Sequence, residues 1–190
     1  MRVISGTARG RKLKAPVGGD IRPTSDMVKE SMFNIIQFDI EGRRVLDLFA
    51  GTGQLGIEAL SRGARSAVFV DSSPDAVKLI NENADICGFR DSCTVYRRDA
   101  LGFLEYCEAF DLVFVDPPYD EALSAGAVGK IIEFDKLNEN GIILCETKAD
   151  AVVPVMPESY GTQKEYKYGS VKITRFIRTA NESQGSGVRG

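Results

Sequence analysis

Residues 47–56 read Asp47-Leu48-Phe49-Ala50-Gly51-Thr52-Gly53-Gln54-Leu55-Gly56. An apolar, β-branched run at 45–49 leads into Gly51, Gly53 and Gly56, spaced as G-x-G-x-x-G, and a helical pattern over 55–61 follows. A strand that turns through glycines into a helix is the opening unit of a doubly wound α/β sheet, where backbone must approach a ligand closely. Asp71 stands 20 residues beyond Gly51, at the end of the next apolar run. That spacing satisfies the dinucleotide fingerprint. Asp47, however, would set a carboxylate beside a doubly anionic pyrophosphate.

Working outward, short apolar runs at 67–70, 94–96, 112–115 and 142–144 alternate with helical stretches near 74–86, 100–107 and 122–134. Alternation of this kind means right-handed crossovers and a mostly parallel sheet with helices on both faces, a Rossmann-like α/β fold. Ser73-Pro74 is a helix entry, with Ser as cap and Pro in the first turn. Segments 162–168 and 171–177 flank Gly169-Ser170 and read as an antiparallel hairpin. Upstream, Arg22-Pro23-Thr24-Ser25-Asp26 is a turn and helix start, and the helix it opens is expected to turn Val28, Met32, Ile35 and Ile36 inward. Segments 3–5 and 11–14 flank Gly6 and Gly10 and suggest a small hairpin or paired extended strands.

Asp47, Asp71, Asp99 and Asp116 each close a successive expected strand. In a parallel sheet all four line the carboxyl edge, where open α/β sheets bind ligands. An acidic rim suits a cationic cofactor. S-adenosylmethionine carries an ammonium, a sulfonium, a ribose diol and an adenine amine, with no phosphate. Asp47 is assigned to the ammonium, directly or through water, Asp71 to the ribose hydroxyls and Asp99 to the adenine amine. Phe49, Gly51, Gly53, Ser72 and Ala100 complete the candidate cofactor-binding set.

Behind the run 112–115 stands Asp116-Pro117-Pro118-Tyr119. Two prolines end the strand and leave a stiff loop of acceptors and one ring. An exocyclic amine on a nucleobase is a poor nucleophile because its lone pair is delocalised. If Asp116 and the Pro117 carbonyl each accept one N–H, the lone pair can be aimed at an electrophilic methyl, while Tyr119 stacks on the base. Asp116, Pro117, Pro118 and Tyr119 are therefore the candidate catalytic residues.

With 190 residues, 43% hydrophobic and 27% charged, the chain suits one domain, taken as 1–178. The polar, Gly/Ser-rich stretch 179–190 is expected to be a disordered tail. There is no histidine and no C-x-x-C among the four cysteines, so no metal site is expected and the thiols should be reduced. The N-terminus lacks the apolar centre of a secretory signal and no window has the length of a membrane span, which suggests a cytoplasmic protein. Net charge is −3, yet residues 1–14 hold Arg2, Arg9, Arg11, Lys12 and Lys14 without an acid. A basic arm over 1–20 on an acidic body is either a solvated segment or a phosphate-binding patch, to which Arg22 is added.

D-L-F-A-G-T-G with D-P-P-Y resembles the methyltransferases that act on exocyclic amines. More narrowly, I-S-G-T-A-R-G-R-K-L and R-P-T-S-D-M-V-K-E-S-M-F-N-I-I resemble the RsmD family, bacterial 16S rRNA guanine-N2 methyltransferases, over about residues 1–177. The family often has a second glycine where Ser5 stands. The resemblance implies a seven-stranded sheet with an antiparallel last strand, S-adenosylmethionine as donor, 16S rRNA in the small subunit or an assembly intermediate as partner, and a monomer. By motif position it places Asp116, Pro117 and Tyr119 in the catalytic loop and Asp47, Gly51, Gly53, Asp71 and Asp99 in the cofactor site. Adenine-N6 or cytosine-N4 DNA enzymes share the same two motifs but usually carry a separate recognition segment, for which there is no room after Tyr119. A non-catalytic assembly factor would not need the lone-pair trap.

Overall fold

The computed structural model describes residues 1–16, 26–118, 121–152, 157–160 and 162–179. In chain order the elements are α1 (Asp26–Ile35), β1 (Arg44–Asp47), α2 (Gln54–Ser61), β2 (Ser66–Asp71), α3 (Pro74–Cys87), β3 (Cys93–Arg97), α4 (Ala100–Tyr106), β4 (Phe110–Val115), α5 (Glu121–Glu133), β5 (Leu137–Lys148), β6 (Thr162–Tyr168) and β7 (Val171–Ile177). The strands form one sheet in the order β3-β2-β1-β4-β5-β7-β6. Strands β1 to β5 run parallel, and β7 lies antiparallel between β5 and β6. Strand order reverses at β1, with β2 on one side and β4 on the other, so the ligand crevice of such a sheet opens above the ends of β1 and β4.

The middles of the central strands are apolar on both sides because both faces are covered. Val45, Phe69, Leu112, Phe114 and Leu144 join the core that contains Met32 and Phe33 of α1, Ile57 of α2 and Ile80 of α3. Their neighbours Leu46, Val70, Val113, Val115 and Ile143 join the core with Leu104 of α4 and Ile131 of α5. Helix α3 starts and stops where its sequence dictates: Ser73 Oγ accepts from the Ala76 N–H, Pro74 fills the first position and Gly88 ends it at φ 76°. The C-terminal hairpin matches its expected limits at both strands. Strand β5 starts earlier than the apolar run at 142, because Leu137 already pairs with Phe110 before a register shift in β4.

One local expectation is adjusted. In α1, Val28, Met32 and Ile36 are buried as expected, but Ile35 is only half-buried, and Lys29 and Phe33 take the inner face. The Phe33 ring packs 5.5 Å from that of Phe114, and the Lys29 ammonium has polar partners inside. At the N-terminus the two segments are paired as expected, through an antiparallel bridge of Arg2 with Lys12. Gly6 turns the chain at φ 82°, where a Cβ would lie 1.7 Å from the Ser61 carbonyl oxygen, so the arm sits on α2 at a distance only glycine permits. Among the described residues no helix is long and apolar enough to cross a membrane.

Candidate active site

The glycine loop between β1 and α2 is held by three side chains from three elements. Asp47, the last residue of β1 and 1% exposed, accepts the Gly56 N–H at 2.9 Å. Asp71, the last residue of β2, accepts the Gly51 N–H at 2.8 Å and the Ser73 N–H at 2.9 Å. Asn83 of α3 donates to the Thr52 carbonyl at 2.9 Å. Gly51 and Gly53 take φ of 54° and 76°, which lets the loop fold over these anchors.

The remaining acids occupy the same rim with different tasks. Asp99 is exposed and caps α4, accepting the Gly102 N–H at 2.7 Å, and Ala100 behind it is buried. Ser72 is exposed and Phe49 is half-buried. Asp116 is half-buried just past β4, followed by buried Pro117 and exposed Pro118. Tyr119 and Arg22 lie outside the described residues, as do residues 180–190 of the expected tail. Asn83 escaped the sequence reading, although its position was a signal: it shares the buried stripe Ala76, Ile80, Asn83, Ala84 and Cys87 of α3. A polar residue on such a stripe demands a buried partner.

Asp47, Asp71 and Asp116 act on one another electrostatically. Burial pushes the Asp47 carboxyl up to about 8; the Gly56 N–H opposes this, and the charges of Asp116 and Asp71 add to it. Three carboxylates on adjacent strands therefore repel one another in a partly dry site. The cysteines offer no nucleophile. All four are free thiols, and burial first, then the Asp116 and Glu146 charges, pushes Cys145 up to about 12.

The basic arm is anchored from beneath. Glu58 of α2, fully buried, accepts the N–H groups of Ile4 at 2.7 Å and Ser5 at 3.0 Å and pairs with Arg62 at 2.8 Å and buried Lys29 at 3.7 Å. Lys29 also donates to the Arg2 carbonyl at 2.6 Å, and Ser61 Oγ accepts the Ala8 N–H at 3.0 Å. Val3, Ala8 and Leu13 point inward, while Arg2, Arg9, Arg11, Lys12 and Lys14 are exposed. Lys14 pairs with Glu82 at 3.0 Å and Arg11 donates to the Ile86 carbonyl at 2.6 Å. Arg2, Arg9 and Lys12 have no ion-pair partner among the described residues.

A family model described as Conserved hypothetical protein 95 matches residues 1–177. YlbH of Bacillus subtilis (strain 168), provisionally named an rRNA methyltransferase, is 42% identical over 158 residues, covering 81% of this chain and 86% of its own. Ribosomal RNA small subunit methyltransferase D of Haemophilus influenzae is 35% identical over 176 residues, covering 90% of each. Among solved structures, Escherichia coli yhhF, provisionally named a methyltransferase, superposes with a TM-score of 0.86 at 29% identity, over 95% of this chain and 98% of that one. An RNA methyltransferase from Salinibacter ruber, 15% identical with a TM-score of 0.65 over 86% and 97% of the two chains, shares the fold.

Proposed function

Since the chain belongs to the Conserved hypothetical protein 95 family, the RsmD family its motifs resemble, we propose that it methylates the exocyclic N2 amine of a guanine in 16S rRNA, with S-adenosylmethionine as donor. The observation that carries the reading is the Asp47 carboxyl, buried between two further carboxylates at the switch point of the sheet. Such a site repels a pyrophosphate and is relieved by a cation.

The residues suit that donor. Asp47 would face its ammonium, Asp71 its ribose hydroxyls, and Asp99 with Ala100 its adenine. Asp71 accepts one N–H on each oxygen and keeps further lone pairs for hydroxyls. Bound there, the donor supplies an electrophilic methyl group. The chain itself supplies position: Asp116 and the Pro117 carbonyl accept the two N–H groups of the amine, and the two prolines hold those acceptors still. That arrangement turns the nitrogen lone pair out of conjugation, and Asp116 stabilises positive charge as it develops on the nitrogen. Arg2, Arg9 and Lys12, exposed on an anchored arm, would hold the RNA backbone.

Mass spectrometry of nucleosides from the 16S rRNA of a strain lacking the gene tests the reading. A missing N2-methylguanosine is expected. Loss of a methyladenosine instead, or an unchanged profile, would overturn it.

Asp47 makes donor binding pH-dependent. Below pH 8 the carboxyl is protonated in the free protein, and a cation beside it lowers its pKa, so binding expels the proton. Affinity should rise with pH towards about 8 and fall beyond it, where the donor's own amine loses its proton. Calorimetry at pH 7 in buffers of differing protonation enthalpy should read a release approaching about one proton per donor bound. Proton uptake, or no exchange, would remove Asp47 from the ammonium site.

For the arm, Arg2→Gln, Arg9→Gln and Lys12→Gln together should weaken RNA binding. The slope of log affinity against log salt should become shallower by about 0.7 for each lost contact to single-stranded phosphate. An unaltered slope would make the arm a solvated segment.

A further inference from the structure

Asn83 is the residue of α3 whose side chain bonds to both the basic arm and the glycine loop, beside the arm contacts that Glu82 and Ile86 of the same helix make. Its Oδ1 accepts the Lys14 N–H at 2.7 Å, and its Nδ2 donates both to the Lys14 carbonyl at 3.2 Å and to the Thr52 carbonyl at 2.9 Å. Lys14 is the last cation of the described basic arm, and Thr52 stands between the two positive-φ glycines of the loop. The side chain is fully buried, and its bond to Thr52 is buried with it, while the two bonds to Lys14 lie at the edge of the interior. A second tie runs in parallel: Thr52 Oγ1 lies 3.4 Å from the Met1 sulfur at the other end of the arm.

An amide is the side chain this position needs. It presents one acceptor and two donors in a plane, and here it meets one N–H and two carbonyls. A leucine would fit the apolar stripe around it, but would leave the Thr52 carbonyl unpaired in the interior and release the Lys14 backbone from α3. The loop peptide at residue 52 and the end of the arm are thus fixed by one side chain, relative to each other and to α3.

We propose that Asn83 is a positioning residue that latches the basic arm to the glycine loop, so that occupancy of the donor site and engagement of RNA by the arm are coupled through it. The proposal rests on the reading of the loop as donor site and the arm as RNA contact. Coupling of this kind is reciprocal: whatever donor does for RNA affinity, RNA does for donor affinity.

Hydrogen exchange on the unaltered full chain is the first test. Addition of S-adenosylmethionine alone should slow exchange of the Lys14 amide, which bonds to Asn83 and to none of the rim aspartates. Addition of deproteinised small-subunit rRNA alone should slow exchange in the glycine loop. The second test uses Asn83→Ala and the isosteric Asn83→Asp, whose second oxygen would face two carbonyls. Calorimetric donor affinity should fall about tenfold, the size of one lost buried hydrogen bond, and RNA affinity should fall with it. Turnover at saturation of both substrates should stay within about twofold, since Asn83 touches no reacting atom. Asn81→Ala, on the same helix, should leave both affinities unchanged. A chain that binds donor and RNA but shows no effect of either on the other's segment refutes the latch alone, as does a variant that loses one affinity and keeps the other. A wild-type chain that binds neither ligand overturns the site reading and the latch together.

Discussion

Replacing Asp116 by alanine should lower methyl transfer by about 10²-fold or more while leaving S-adenosylmethionine affinity within a few-fold. The carboxylate stands past β4, over the crevice where strand order reverses, and in the proposed mechanism it shares the amine with the Pro117 carbonyl. An amine with one N–H unclaimed keeps its lone pair in the ring, and the loss of one preorganised electrostatic partner of a developing charge typically costs 10²–10³ in rate, about 3–4 kcal/mol. Asp116→Asn, which keeps an acceptor oxygen and loses the charge, should fall between alanine and wild type. Single-turnover rates with donor saturating, set beside calorimetric donor affinity, separate the two effects. Near-normal turnover in Asp116→Ala would remove the residue from the chemistry.

The second large effect concerns stability. Glu58→Leu should cost about 3–5 kcal/mol, because it leaves the Lys29 ammonium buried without its carboxylate and strands the Ile4 and Ser5 N–H groups. That is a large share of the total stability of a domain, about 5–15 kcal/mol. Burial already pulls the Lys29 pKa below its ordinary value, against the opposing pull of Glu58, so the pair is under strain from desolvation and depends on its geometry. The double change Lys29→Met with Glu58→Leu removes both charges and should recover part of the loss, though not the arm's two N–H bonds. Urea unfolding of the wild type and the two variants reads this directly. A near-neutral Glu58→Leu would mean that water reaches the pair and that the arm is not anchored there.

Much of the fold was legible because it is local. Runs such as Leu112 to Val115, unbroken by a polar residue, announce strands covered on both sides, and Pro117-Pro118 marks where one of them must stop. Ser73, Pro74 and Gly88 write the ends of α3 into the chain, and Gly169-Ser170 writes the final hairpin. The rim aspartates were legible by the same logic, since each follows an apolar run whose direction is shared by its neighbours. The structure adds further uses that a strand-end position alone does not distinguish: Asp99 also caps a helix and Asp47 also braces Gly56 from inside.

By itself the sequence determined the periodicities, the breaks between elements, the acid at each strand end and the basic start of the chain, because backbone preference and solvent exposure act over a few residues. Tertiary structure alone decided that Lys29, Glu58 and Asn83 belong inside. Their partners are 27 residues away for Lys29, 53 and 54 for Glu58, and 31 and 69 for Asn83, and a buried polar group is tolerated only where the folded chain brings its complement to it. It also decided the titration of Asp47, since that shift arises from burial and from carboxylates that strand order, not chain order, sets beside it.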